Sequence, residues 1–180
     1  MNLLSLAEST QFEHSRMVSQ ISRLLAEHAG YPPREVETIE QAALLHDVGK
    51  CGVPAEILTK PGALSSREYE IIKTHTQIGC GQITEMFRIL SAAAIVAIQH
   101  HERLDGSGYI GLTGQDIDPY ARLVAVADVF DALSSRRSYK EPWSQDSVCA
   151  HLKEQSSSRF DPEIVAVLLA HVNEIMTLYR

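Results

Sequence analysis

An all-α fold, one bundle of about seven to nine helices, is what this sequence predicts. Three observations point to it. Apolar residues recur at helical spacing along most of the chain. Several segments open on Pro32-Pro33, Asp118-Pro119 or Asp161-Pro162, the chemistry of a helix start. No stretch shows a convincing strand rhythm, alternating in and out every second residue.

Taken in order, residues 1–8 form a short N-terminal extension, and residues 9–29 carry Phe12, Met17, Val18, Ile21, Leu24 and Leu25 at helical spacing. Gly30 stops that helix. Pro32-Pro33 opens a second through Ile39, Ala42 and Leu45, which ends near His46-Asp47. A short apolar piece at 53–58 precedes a turn at Pro61-Gly62. Ser65 and Glu68 form a capping box. The helix they start runs to Gly79, breaks over 79–81 and resumes towards Leu90. Residues 92–101 make a helix rich in alanine and isoleucine, and 105–114 a glycine-rich loop. The remaining helices are expected at 118–133, 144–155 and 161–179. There is no internal repeat and no linker that divides the chain, so 1–180 reads as one domain.

At 180 residues the chain is long enough to bury one substantial core. A formal charge of −7 disfavours broad binding to DNA or RNA phosphates. The longest apolar run, near 90–98, is far too short to cross a bilayer. The first ten residues carry no signal-peptide pattern. Three cysteines, Cys51, Cys80 and Cys149, lack CxxC spacing, which points to a reducing compartment, hence the cytoplasm, and away from a thiolate metal site.

The histidines carry the chemistry. His46-Asp47 and His100-His101 sit at expected helix ends, and His14 and His75 lie within helices. Asp128 falls in the apolar stretch Leu123-Val124-Ala125-Val126-Ala127, where a carboxylate is costly unless paired or bound to metal. Imidazole and carboxylate without thiolate favour Fe, Mn, Co, Ni or Zn over Mg or Ca. A carboxylate can bridge two cations, and Asp47 is the candidate bridge. Taken alone, each residue has a plainer reading: His75 as a hydrogen-bonded core histidine, Asp128 as half of an ion pair. His28, His151 and His171 show no partner pattern and keep that plainer reading.

The string Ala42-Ala43-Leu44-Leu45-His46-Asp47-Val48-Gly49-Lys50 resembles the HD signature of HD-domain phosphohydrolases. His100-His101-Glu102-Arg103-Leu104-Asp105-Gly106-Ser107-Gly108-Tyr109 resembles the second signature of the HD-GYP subfamily, and Ala127-Asp128-Val129-Phe130-Asp131-Ala132-Leu133 with Arg137-Ser138-Tyr139-Lys140 its third block. The HD dipeptide alone is weakly specific, whereas the blocks together are highly specific. The resemblance implies an HD-domain-like helical bundle and a metal-dependent phosphodiesterase that hydrolyses cyclic di-GMP, or a related cyclic dinucleotide, to pGpG and GMP. It implies the metal ligands His14, His46, Asp47, His75, His100, His101 and Asp128, with iron or manganese as the metal and nickel, cobalt or zinc as substitutes. Lys50 would face the substrate phosphates, Tyr109, Arg137 and Lys140 would hold the dinucleotide, and Asp131 would support catalysis from beside the site. A solvated surface charge is the alternative for Lys50 and Arg137.

Two departures from the family pattern matter. Ile110 stands where the family has proline, so a looser or differently set loop is expected, and contacts with a GGDEF-domain partner are weakened. Ser138 likewise replaces a proline. Thr10 stands where three-metal members have glutamate, and Glu13 would point about 100° away on a helix; two divalent ions are therefore expected. The rival readings are a cyclic-dinucleotide receptor or protein-interaction module without turnover, and a phosphohydrolase of a mononucleotide or linear substrate. A sensor-domain partner and a homodimer are further expectations.

Overall fold

A computed structural model describes residues 3–87, 91–136 and 141–179, with side chains from residue 11 onward. Its helices are α1 (Leu3–His28), α2 (Pro33–Leu45), α3 (Ala55–Leu58), α4 (Ser66–Phe87), α5 (Ala92–Gln99), α6 (Pro119–Ser134), α7 (Gln145–Gln155) and α8 (Pro162–Ile175). Short 3₁₀ turns occupy Val48–Gly52, Gly114–Asp116 and Met176–Tyr179. There is no strand among the described residues, only an isolated bridge between Ser156 and Phe160. The all-α expectation holds, and no described helix is long and apolar enough to cross a membrane.

Local chemistry explains most boundaries. Asp118 and Asp161 each accept a hydrogen bond from the backbone N–H two residues on, ahead of a proline at the first helical position. The capping box closes as expected: Glu68 N–H donates to Ser65 Oγ, and Ser65 N–H donates to Glu68 Oε2 at 2.7 Å. Gly30 ends α1 at φ +81°, the left-handed conformation that glycine adopts without steric cost.

Two expectations are corrected. Helix α1 begins at Leu3, so residues 3–8 are part of it and not a separate extension; leucine and alanine there are strong helix formers. Helix α4 runs unbroken through Gly79 and Gly81. Its glycine at 79 serves close packing. A Cβ built on Gly49 would stand 2.0 Å from the His75 carbonyl oxygen and 2.4 Å from the Gly79 nitrogen. Two glycines thus let the turn after His46-Asp47 press backbone to backbone against the helix that carries His75. Gly49→Ala should destabilise the domain by about 2 kcal/mol or more, since the forced methyl meets rigid backbone; urea unfolding measures it. Wild-type stability in that variant would show that the two segments separate freely.

One core joins Val18, Ile21 and Leu25 of α1 with Ile39 of α2, Leu123, Val126 and Phe130 of α6, and Leu168 and Ile175 of α8. Each large side chain fully buried there contributes about 1.5–3 kcal/mol. Helix α6 is buried on nearly every side, from Ala121 to Phe130. That placement carries Asp128 and Asp131 into the interior. A smaller cluster, Ile83 with Ala94 and Ala97, seats α4 on α5.

Candidate metal centre

The ends of α2 and α5, the middles of α1 and α4 and the last turns of α6 converge on Asp47. Two groups of potential ligands result. Asp47, His75, His100 and His101 bring one atom each within 4.8 Å of one another, and so do His14, His46 and Asp128. Every metal residue expected from the sequence is therefore in one of the two groups.

The imidazoles are oriented by the helices that carry them. His46 Nδ1–H donates to the Ala43 carbonyl at 2.6 Å, and His75 Nδ1–H to the Ile72 carbonyl at 2.6 Å. His100 Nδ1–H is shared between the Val96 and Ala97 carbonyls, 3.1 Å each. A proton fixed on Nδ1 leaves Nε2 as a lone pair, the form that binds metal. Those Nε2 atoms face Asp47. His46 Nε2 lies 3.2 Å from Oδ2, while His75 and His100 Nε2 lie 3.2 and 3.7 Å from Oδ1. One carboxylate oxygen thus faces each group.

The site fits cations on grounds internal to the chain. Asp47 Oδ1 and His46 Nε2 are buried and have no hydrogen-bond partner, a costly arrangement unless something else satisfies them. Burial pushes the Asp47 pKa up, but Lys50 and His46 outweigh it and hold the carboxyl well below its usual range. For Asp128, burial is likewise outweighed, here by His14. Burial drives His100 well below its ordinary value and His101 down to about 3. Near neutral pH these are ionised carboxylates and neutral imidazoles, the ligand forms of both. His14 differs: burial lowers its pKa, but Asp128 and Asp131 overcome that and raise it to about 9.

Asp131 takes a supporting place. Its Oδ2 accepts from His14 Nδ1 at 2.6 Å, and its Oδ1 accepts from Ser135 Oγ at 2.7 Å and from the Tyr179 hydroxyl at 2.9 Å. It is 1% exposed and contacts the His14 ring on the side away from Asp47 and Asp128. Lys50 extends from the 3₁₀ turn, and its ammonium contacts Asp47 Oδ2. Tyr109 packs its ring against His101, centroids 4.5 Å apart. Arg137 and Lys140, and with them Ser138, lie outside the described residues. The Thr10 backbone is helical, and Glu13 pairs with Arg16.

Residues 1–164 match the HD domain family. The chain belongs to that family. It is of the HD-GYP type, whose signature strings it carries around His46-Asp47 and His100-His101. The cyclic di-GMP phosphodiesterase response regulator RpfG of Xanthomonas campestris pv. campestris is 46% identical over 154 residues, 84% of this chain and 41% of that protein. The 3'3'-cGAMP-specific phosphodiesterase 2 of Vibrio cholerae is 37% identical over 182 residues, 98% of this chain and 35% of that protein. The HD-GYP domain here spans less than half the length of either relative. An HDG"Y"P protein from Bdellovibrio bacteriovorus shares the fold, with a TM-score of 0.75 at 22% identity over 91% of this chain and 52% of that one.

In this HD-GYP domain Ile110 supplies a backbone N–H that ties the loop to Glu102. Glu102, 2% exposed, accepts from the Ile110 N–H at 2.9 Å through Oε1 and from the Leu112 N–H at 2.8 Å through Oε2. Gly108 lets the loop fold over it: a Cβ there would lie 2.5 Å from the Glu102 Cα. Proline at 110 would remove one donor. Ile110→Pro should therefore destabilise the domain by about 1 kcal/mol, a charge-assisted bond lost against some gain from a stiffer unfolded chain. Urea unfolding decides, and equal or higher stability would mean that this hydrogen bond contributes nothing.

Sequence reasoning missed four neighbours of the site. Gln11 Nε2–H donates to Asp47 Oδ2 at 2.8 Å; its position one helical turn before His14 was the available signal. Glu102 was visible only as a letter of the HHE string. Tyr179 lies 48 residues from Asp131, and no local pattern links them. Lys73, on α4, holds its ammonium 5.7 Å from the Tyr109 ring centroid. His28 and His171, given no partner, stack with centroids 3.6 Å apart beside Glu174, forming a further group at the surface. His151 stands edge-on to Trp143, 5.7 Å between centroids.

Proposed function

We propose that this domain hydrolyses a cyclic dinucleotide, cyclic di-GMP first, to linear pGpG with slower conversion to GMP. The observation that carries the reading is the pair of ligand groups sharing one carboxylate, with an Asp47 oxygen turned to each. The resident ions are two, iron or manganese, since no cysteine joins either group and nitrogen and oxygen donors suit those metals. When bound, such ions activate water near neutral pH and offset charge on a phosphate oxygen.

The chain's own residues do the rest. His46, Asp47, His75, His100, His101, His14 and Asp128 would hold the ions. Asp131 keeps His14 in one tautomer and orientation. Lys50 brings a compact positive charge to the phosphate, and Tyr109 borders the substrate cleft. Arg137 and Lys140 would add charge to the phosphates from the segment after α6. The names of the relatives support the substrate class. Three free cysteines support a cytoplasmic setting. A GGDEF-domain or sensor-domain partner, its GGDEF contact weakened by Ile110 in place of proline, and a homodimer complete this reading.

Metal analysis of anaerobically purified protein, paired with a cyclic di-GMP turnover assay, tests the proposal. Two ions per chain and early accumulation of pGpG are expected. GMP as the main early product, with no pGpG, would sink the product assignment. Full metal and tight binding without turnover would establish the receptor reading instead.

A further inference from the structure

A cleft lies beside the metal centre, between α4 and the loop after His101. Glu70, Lys73, Thr74 and Gln77 line one wall, and Tyr109 and Ile110 the other. Glu70, Lys73, Thr74 and Gln77 are spaced three or four apart and form one stripe of the helix, with Thr76 beside it. Two residues from Lys73, His75 reaches inward to Asp47, and Tyr109 packs on His101, so both walls are anchored on candidate ligands. Tyr69 stands beside the cleft, edge-on to Tyr109 at 6.0 Å, and is 46% exposed. The Lys73 ammonium lies 5.7 Å from each of the two ring centroids and 2.9 Å from Glu70 Oε1.

We propose that this cleft is a nucleobase subsite that selects guanine, with Tyr69 offering a face for stacking, Lys73 donating to the base O6, and Glu70 accepting from N1–H and the 2-amino group. The inference rests on the cyclic-dinucleotide reading above and adds which base is read and by what.

Charge decides against a phosphate in this place. Lys73 is already neutralised by Glu70, and this carboxylate, unlike the Asp47 partner of Lys50, belongs to none of the ligand groups that could offset its charge, so it repels an anion. A neutral base has no such conflict. Stacking on an aromatic ring tolerates any base, so discrimination must come from the polar edge. Guanine presents an acceptor next to two donors, which matches an ammonium next to a carboxylate. Adenine presents a donor where Lys73 donates and an acceptor where Glu70 accepts, and both contacts turn repulsive. An exposed i,i+3 ion pair on a helix would contribute little by itself; its place between two tyrosines and the metal centre gives it this role.

The test compares cyclic di-GMP with cyclic di-AMP in wild type, Glu70→Gln and Lys73→Met, with metal content measured alongside. Both positions are on the helix surface, and metal content should stay at the wild-type level. The ratio of kcat/KM for cyclic di-GMP to that for cyclic di-AMP should fall by about tenfold or more in each variant, the size expected when a base-reading polar contact is removed. The loss for cyclic di-GMP should lie in KM, because the base is remote from the bond that breaks. An unchanged ratio in both variants overturns the subsite. If fully metallated wild-type protein binds both dinucleotides and turns over neither, the hydrolase reading fails, and the same ratio taken from dissociation constants still decides the subsite.

Discussion

Asp47→Ala should lose metal and turnover together, with activity falling by about 10³-fold or more, beyond the 10–100-fold typical of groups that only orient a ligand. The geometry sets this expectation. Oδ2 lies 3.2 Å from His46 Nε2 and 3.9 Å from His14 Nε2, and Oδ1 lies 3.2 Å from His75 Nε2 and 3.7 Å from His100 Nε2. Alanine removes an oxygen from both groups at once. It also leaves Lys50 and Gln11 without their shared acceptor and leaves the imidazoles of His46, His75 and His100 with no carboxylate between them. Metal content is read by elemental analysis, and thermal unfolding with and without Mn²⁺ gives a second readout. Wild type should be stabilised by the ion through mass action, and the variant should not. Asp47→Asn keeps the size and should behave like alanine in both readouts, which separates loss of charge from loss of packing. An Asp47→Ala protein that holds the full complement of metal would remove Asp47 from its bridging place.

The contrast between Asp47 and Tyr179 shows what a sequence of this kind makes legible. His46-Asp47, His100-His101 and Asp128 announce themselves because each lies in a dense local string, and because a carboxylate inside an apolar helix demands a partner. Helix starts are legible for the same reason: a cap and its proline are neighbours in the chain, as at Asp118-Pro119. Contacts assembled by the fold are not. The hydrogen bond from His14 to Asp131 spans 117 residues, and the one from Tyr179 to Asp131 closes the shell from the far end of the chain. Glycine misleads where its purpose is close approach. Gly79 signals a helix break in sequence, yet its missing Cβ lets α4 meet the turn at Gly49. Ile110 misleads differently. Removing a proline frees φ, which suggests looseness, but it also supplies an N–H, and Glu102 uses it. A backbone donor is present in every sequence letter except proline, so only its acceptor, unknown before the fold, gives it meaning.

Lys50→Ala should keep its metal and lose turnover, by about 10²-fold, as when a single electrostatic donor is removed from a transition state. Lys50 is not a ligand, and its ammonium sits against Asp47 Oδ2. A cation in that place competes with an incoming divalent ion, so its removal should leave metal affinity unchanged or raised. Its side chain is 24% exposed, neither freely solvated nor sealed, which leaves the charge able to turn from Asp47 towards a bound phosphate. If the charge acts mainly as the leaving oxygen develops its own, the loss falls in kcat and KM changes less. Lys50→Arg should restore only part of the rate, because a broad planar guanidinium replaces a compact ammonium. A lysine that merely solvates the surface predicts something else: near-normal kcat in both variants. That result, with metal at the wild-type level, would remove Lys50 from the chemistry while leaving the metal centre intact.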